Sequence, residues 1–291
     1  MSETEPIGVL VRRWRERRRR SQLDVSIAAQ VSARHLSFIE TGRATPSRAM
    51  IERLCDELDV PLRERNAFYL AAGFAPAHAE RPFADLGAAR AAVEALLAAH
   101  EPYPALAVDV RWDLVAANDA AGAFFADVPP TLLGPPVNVL RATLHPDGLA
   151  PRIRNLGQWH AHVLRRVRRQ LARTAAPGLA DLLAELAGYP APEAAGPADD
   201  LVVPLRLASP WGELAFLYAN TVFGAARDVT LDEIGIETFF PADPDTAEVL
   251  RSMATARRAA ARSAAAPAGS AAGSARADRR SRSVRPGVRG G

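Results

Sequence analysis

SQLDVSIAAQVSARHLSFIETGRATPS, residues 21–47, reads as two short helices joined by a tight turn and followed by a loop suited to phosphates. Ser21 stands where an N-cap belongs and Asp24 three residues on, an S-x-x-D capping box in which side chain and backbone exchange hydrogen bonds. That predicts a helix from about Gln22 to Gln30. Ser32 caps a second helix whose apolar Leu36 and Ile39 share one face, and Gly42, just beyond Thr41, supplies the left-handed residue that stops it. Helices joined this closely cross steeply. In a helix-turn-helix the first lies across the DNA backbone and the second presents its N-terminal residues to the major groove.

The spacing resembles the phage-repressor and xenobiotic-response-element type of helix-turn-helix. Val25, Ala29, Val31, Leu36 and Ile39 fill its apolar positions, and Glu40-Thr41-Gly42-Arg43 with Pro46-Ser47 matches its E-x-G-R and P-S loop. Two positions depart from the pattern: Ser26 replaces a small Ala, and Gln30 replaces a Gly of positive φ, which costs roughly 1 kcal/mol if that conformation is kept. The resemblance implies that Ser32, Ala33, Arg34 and Ser37 point toward base edges, with Phe38 at a site often held by a polar base-reader. Arg34 is the candidate for guanine, whose O6 and N7 a guanidinium grips bidentately, the alternative being a phosphate contact. Phe38 is left between a thymine methyl and internal packing. Gln22, Arg43, Thr45 and Ser47 are assigned to backbone positioning, alongside capping and loop roles.

Helical stripes continue on both sides. Ile7, Leu10, Val11 and Trp14 precede Arg17-Arg18-Arg19-Arg20, and Met50, Ile51, Leu54 and Leu58 precede a fifth helix after Pro61. The arginine run is expected along the DNA backbone, with a merely solvated face as the alternative. The expectation is a helix-turn-helix domain over 1–74, a joint over 75–84, a second domain over 85–253 and a disordered Arg/Ala/Ser/Gly-rich tail over 254–291.

Charge is partitioned accordingly. Residues 1–81 carry 14 Arg against 11 acids, residues 82–253 carry 13 against 21, and residues 254–291 carry 9 against 1. An acidic middle is a poor nucleic-acid surface, so DNA affinity belongs to the first domain, with the tail able to assist. Cys55 is the single cysteine, which excludes an intrachain disulfide and any multi-cysteine metal site. No apolar run is long enough to span a bilayer and no signal-peptide core is present, so a cytoplasmic protein without a membrane partner is expected.

In the middle, Leu106, Val108, Val110, Trp112 and Leu114 alternate, with a turn at Arg111-Trp112, and Asn118 begins a helix. A helix of roughly 85–100 comes before. After Pro151 a long helix keeps Ile153, Leu156, His160, Val163, Leu164, Val167 and Leu171 on one face and Arg165, Arg166, Arg168 and Arg169 mainly on the other. Three strands near 201–207, 213–223 and 229–240 complete the order of a PAS-like sensor. The fold class is α+β, mostly α: a five-helix lambda-repressor-like domain, a PAS-like α/β domain and a basic tail.

RWDLVAAN, NVLRATLHPDGLAPRI and NLGQWHAHVLRRVRRQLA, together with the helix-turn-helix segment and VPLRERNAFYLAAGFAP, resemble the MmyB-like transcription regulators over about residues 7–245. Membership implies a regulator that senses a small apolar, fatty-acid-like effector, with no other cofactor. A ligand site is mostly apolar with a few convergent polar groups. The candidates are His145 and Arg152 for a carboxylate, Asn155 and Trp159 on the following helix, and Trp112 and Asn118 on the opposite wall. Each has a structural alternative: a turn for His145, a solvated helix start for Arg152, core packing for the two tryptophans, a cap for Asn118.

No G-x-S-x-G, P-loop, H-E-x-x-H or dinucleotide turn is present, so neither a catalytic nor a metal site is assigned. The competing reading keeps the DNA-binding domain and makes the middle a ligand-free dimerisation or docking module. Partners expected are double-stranded DNA, a small-molecule effector and a second copy of the chain in a homodimer.

Overall fold

The computed structural model describes residues 5–194 and 202–265. Five helices open the chain: α1 (Ile7–Arg17), α2 (Gln22–Ala28), α3 (Ala33–Glu40), α4 (Arg48–Glu57) and α5 (Leu62–Ala71). Their core is closed by Trp14, Val25, Leu36, Ile39, Ile51, Leu54 and Phe68, with Cys55 among them. Burial pushes the Cys55 thiol up to about 12, so it packs as an inert small apolar group. Gly8 lets α1 lie directly on the end of α3: a Cβ there would sit 2.4 Å from the Ile39 carbonyl oxygen.

The turn chemistry is as read. Ser21 and Asp24 form both halves of a capping box, and Ser32 Oγ accepts from the His35 N–H. The α2 end closes as a Schellman motif, Gln30 N–H donating to Ile27 O and Val31 N–H to Ser26 O, with Gln30 at φ 55°. Gly42 at φ 73° does the same for α3. Gln30 therefore keeps the glycine-like conformation, at a cost on the order of 1 kcal/mol. Ser26 is accommodated because its hydroxyl donates to Leu23 O at 2.8 Å.

The second domain follows a short 3-10 turn at Phe83–Asp85: α6 (Ala88–Ala99), β1 (Ala105–Val108), β2 (Leu114–Ala117), α7 (Asp119–Phe124), α8 (Val139–Leu144), a 3-10 turn at Ala150–Arg152, α9 (Leu156–Thr174), α10 (Leu179–Ala187), β3 (Leu205–Ser209), β4 (Gly212–Val222), α11 (Val229–Glu233), β5 (Gly235–Pro241) and α12 (Pro244–Ala265). The sheet order is β2-β1-β5-β4-β3, every pair antiparallel, which is the PAS-like arrangement. One face packs on α7, α8, α9 and α10; the other is covered in part by Val93 and Leu97 of α6 over Ala105, Ala107 and Ile236.

Several expected boundaries shift. The strand near 201–207 starts only at Leu205, after Pro204, which has no N–H for a ladder. The expected strand near 229–240 divides, because Asp228 accepts the Thr230 N–H and starts helix α11 before β5 begins. The long helix begins at Leu156 rather than after Pro151, since Asn155 is bonded to β3 and its approach. Helix α12 carries on through Ala265, past the expected start of the tail at 254; the rest of that tail lies outside the described residues. The joint at 75–84 is fastened: Asn66 bonds Ala77 and His78, and Arg81 pairs with Asp228 at 2.9 Å.

Candidate functional site: a DNA-reading face and an apolar cavity

The candidate DNA-reading face is packed around Glu40, whose side chain is wholly buried. Arg15 donates to both its oxygens, at 2.7 and 3.0 Å, and Gln22 Nε2 donates at 2.8 Å. These bonds tie α1 and α2 to the last turn of α3. Burial pushes the Glu40 carboxyl up, but the bonds from Arg15 and Gln22 outweigh it and hold the group below its ordinary range. Gln22 thus spends one amide N–H inside the domain. An amide carries two, which leaves one for a phosphate.

Ser32, Ala33 and Arg34 are exposed at the start of α3, with Ser37 and Phe38 half-buried one turn on. The Arg34 guanidinium lies over the Phe38 ring at 5.3 Å. Phe38 therefore packs against Arg34, a third option beside the two the sequence left open. Arg43, Thr45 and Ser47 are exposed, and Ser47 caps α4 by accepting the Met50 N–H.

The arginine run does something else than expected. Arg17 Nη1 donates to Leu171 O at 2.8 Å, and Arg18 donates to Leu58 O at 2.7 Å, to Asp59 O, and to Arg173 O at 3.1 Å. Arg20 donates to Glu57 O at 3.1 Å. Three of the four are taken up by carbonyls at or just beyond helix ends, and two of them fasten α1 to the C-terminal end of α9. Only Arg19 is exposed.

Between the sheet and α7, α8 and α9 lies a cavity of about 90 Å³. Leu106, Phe124, Leu140, Val163, Leu207 and Phe216 make its walls apolar. One end is polar. Arg166 pairs with both oxygens of Glu237, Nη1 to Oε2 at 2.7 Å, and Asn220 donates to the same carboxylate. Arg166 also lies over Trp112 at 4.5 Å and Tyr218 at 5.0 Å, while His162 bonds the Tyr218 hydroxyl and stacks on Trp159. Burial, then the charges of Arg165, Arg166 and Arg169, lower His162 to about 4, so its imidazole is neutral at pH 7. The buried Trp159 indole N–H has no partner.

Of the six candidate ligand residues, Trp112 and Trp159 line this cavity and four do not. Asn118 caps α7 and bonds Ala105, Leu97 and Tyr103, stitching strand to helix. His145 Nδ1 accepts the Asp147 N–H in its own turn. Arg152 donates to Ala208 O and Asp127, and Asn155 to Pro204 O. Each is consumed by a nearby backbone group, a use that isolated polar letters do not reveal. His162, Arg166, Tyr218 and Glu237 also line it and were not among the candidates. Arg166 was placed mainly on the face of α9 opposite its apolar stripe, yet its guanidinium reaches Glu237 on the sheet. An acid at an inward position of β5 was the available signal.

Residues 89–253 match the family model described as the MmyB-like transcription regulator ligand binding domain, more than half of the chain, and residues 6–68 match a helix-turn-helix domain model. No curated protein matches significantly. Among solved structures, the chain is similar to an RNA-binding light-oxygen-voltage receptor at 17% identity and a TM-score of 0.26, covering 82% of this chain and 57% of that one. The chain thus spans under two thirds of that structure's length, and likeness at this level transfers nothing to it.

Proposed function

The chain belongs to the MmyB-like transcription regulators, and from that premise we propose that it binds operator DNA as a homodimer and senses a fatty-acid-like ligand in the cavity beneath α9. The observation that carries the ligand reading is the cavity itself: apolar walls meeting one polar end, where His162, Arg166 and Tyr218 converge and the Trp159 N–H is unpartnered. Such a site is complementary to an amphiphile with one polar head. On the DNA side, Arg34 reads a base and Arg43, Thr45 and Gln22 hold the backbone, as the exposure of α3 and its following loop supports.

The second reading, a ligand-free docking module, is favoured by one number: about 90 Å³ is less than the roughly 150 Å³ that accommodates benzene in a dry cavity. Thermal melts of the full chain with decanoic and tetradecanoic acids, together with mass spectrometry of the denatured protein, separate the two. A raised Tm or a co-purified acyl compound supports the sensor. A chain that carries no small molecule and melts unchanged with either acid is the docking module.

A further inference from the structure

Charge is spread unevenly over the second domain. Acidic as a whole, it carries seven arginines and no aspartate or glutamate from Gly148 to Ala180. Two of the seven are occupied: Arg152 donates to Ala208 O and Asp127, and Arg166 pairs with Glu237. The other five, Arg154, Arg165, Arg168, Arg169 and Arg173, are exposed, and among the described residues none has a carboxylate within ion-pair distance. By contrast, the exposed Arg90, Arg206 and Arg251 of the same domain each pair with an acid. Arg34 and Arg43 of the candidate DNA-reading face share the uncompensated state.

Four of the five stand on α9. Steps of four residues place Arg165, Arg169 and Arg173 in one row about 6 Å apart, with Arg168 and the exposed Ala172 beside it. Like charges at that spacing oppose helix formation, and no acid is interleaved to offset them. Arg169 and Arg173 also border a cleft that they share with Asp59, Glu64, Asp232 and Glu233, whereas Arg165 and Arg168 lie outside it. The bonds between the domains fix where the row ends. Arg17 and Arg18 donate to Leu171 O and Arg173 O, so the C-terminal end of α9 abuts the end of α1. The next residue, Arg19, is exposed, and three further on Gln22, placed above on the DNA backbone, opens α2.

Resting on the DNA-binding reading above, we propose that the outer face of α9 is a second DNA-backbone surface, on which Arg165, Arg168 and Arg169 hold phosphates of the duplex flanking the half-site that α3 reads. A guanidinium fork matches phosphate oxygens two at a time. One DNA strand presents a charge about every 3.4 Å of axis, so a row about 12 Å long, from Arg165 to Arg173, faces roughly three phosphates. Such contacts add affinity and carry no sequence information of their own. The second domain, acidic in sum, thereby joins the DNA surface through one helix. The opposite face of that helix walls the apolar cavity with Trp159 and Val163.

The test uses the full chain and two duplexes carrying the sequence returned by binding-site selection, one trimmed to that sequence and one with about one helical turn, roughly 10 base pairs, added on each side. Arg165→Gln combined with Arg168→Gln leaves the selected sequence and the affinity for the trimmed duplex as in wild type. On the flanked duplex it reduces the salt slope by about two units per bound copy. Ala172→Glu sets an acid among the four arginines at an exposed helical position and weakens the flanked duplex about threefold or more at low salt; it carries the test should the double variant melt early. A double variant with the wild-type slope on the flanked duplex overturns the proposal. So does one that loses slope equally on both duplexes, since the arginines then touch the half-site itself. Binding to phosphatidylglycerol vesicles that the double variant loses, with its DNA slope intact, assigns the row to a membrane surface and likewise overturns it. A chain that binds neither duplex overturns the DNA-binding reading as well.

Discussion

Arg166 and Glu237, 71 residues apart in sequence, form a two-pronged ion pair whose carboxylate side chain is 4% exposed and whose guanidinium is 21% exposed. It closes the polar end of the cavity and couples α9 to the middle strand of the sheet. Removing one partner of such a pair leaves the other charge uncompensated. Glu237→Gln should therefore lower unfolding stability by about 3 kcal/mol in denaturant melts. It should at the same time tighten decanoate binding, because the ligand no longer competes with a resident carboxylate. Unchanged stability together with unchanged affinity would remove the pair from both roles.

Glu40 carries the packing of the DNA-binding domain. Glu40→Gln strands Arg15, whose side chain is 13% exposed, and should cost about 3 kcal/mol. Its carboxyl is held below the ordinary 4.5 in the folded chain, so its contribution is complete above 4.5 and is lost as pH falls through the lower folded value. Acid melts of the variant should accordingly be flatter than wild type below pH 4.5, and parallel curves would contradict this.

His162 supplies a second acid-sensitive term in a different window. Its folded value, about 4, lies below the ordinary 6.5, so the unfolded chain takes up the proton first. The stability it contributes is whole above pH 6.5 and declines as pH falls toward 4. Wild type should lose Tm between pH 6.5 and 4.5 more steeply than His162→Gln, and the His162 ring resonances should titrate near 4. Titration near 6.5 in the folded protein would show the site to be open to water.

Base reading and backbone positioning should separate by mutation. Arg34→Ala should relax the preferred sequence at one base position in a binding-site selection while non-specific affinity stays nearly intact. Arg43→Ala should weaken binding to every sequence alike and reduce the salt slope by about one unit. An unaltered motif for the first, or an unaltered slope for the second, takes that residue out of its role.

Local chemistry determined the helix-turn-helix from sequence alone. The capping box at Ser21 and Asp24, the caps at Ser32 and Ser47 and the stop at Gly42 involve partners within five residues, so spacing suffices to read them. Strand alternation before Asn118 and the order of elements likewise implied the PAS-like sheet, whose strand pairing the structure adds. Tertiary structure decided what the long polar side chains do. Arg17 and Arg18 are bonded to carbonyls some 155 residues away, and Arg166 to an acid 71 residues away. Guanidinium stems reach across a fold, and a buried one goes wherever a carbonyl or carboxylate compensates its desolvation. Asn118, His145 and Asn155 are likewise claimed by backbone groups, at Asp147 within its own turn for His145, at Ala105 on the neighbouring strand for Asn118, and at the distant Pro204 for Asn155. The cavity belongs to the same category, because its volume is the residue of how α9, α7 and the sheet pack, and no single segment encodes it.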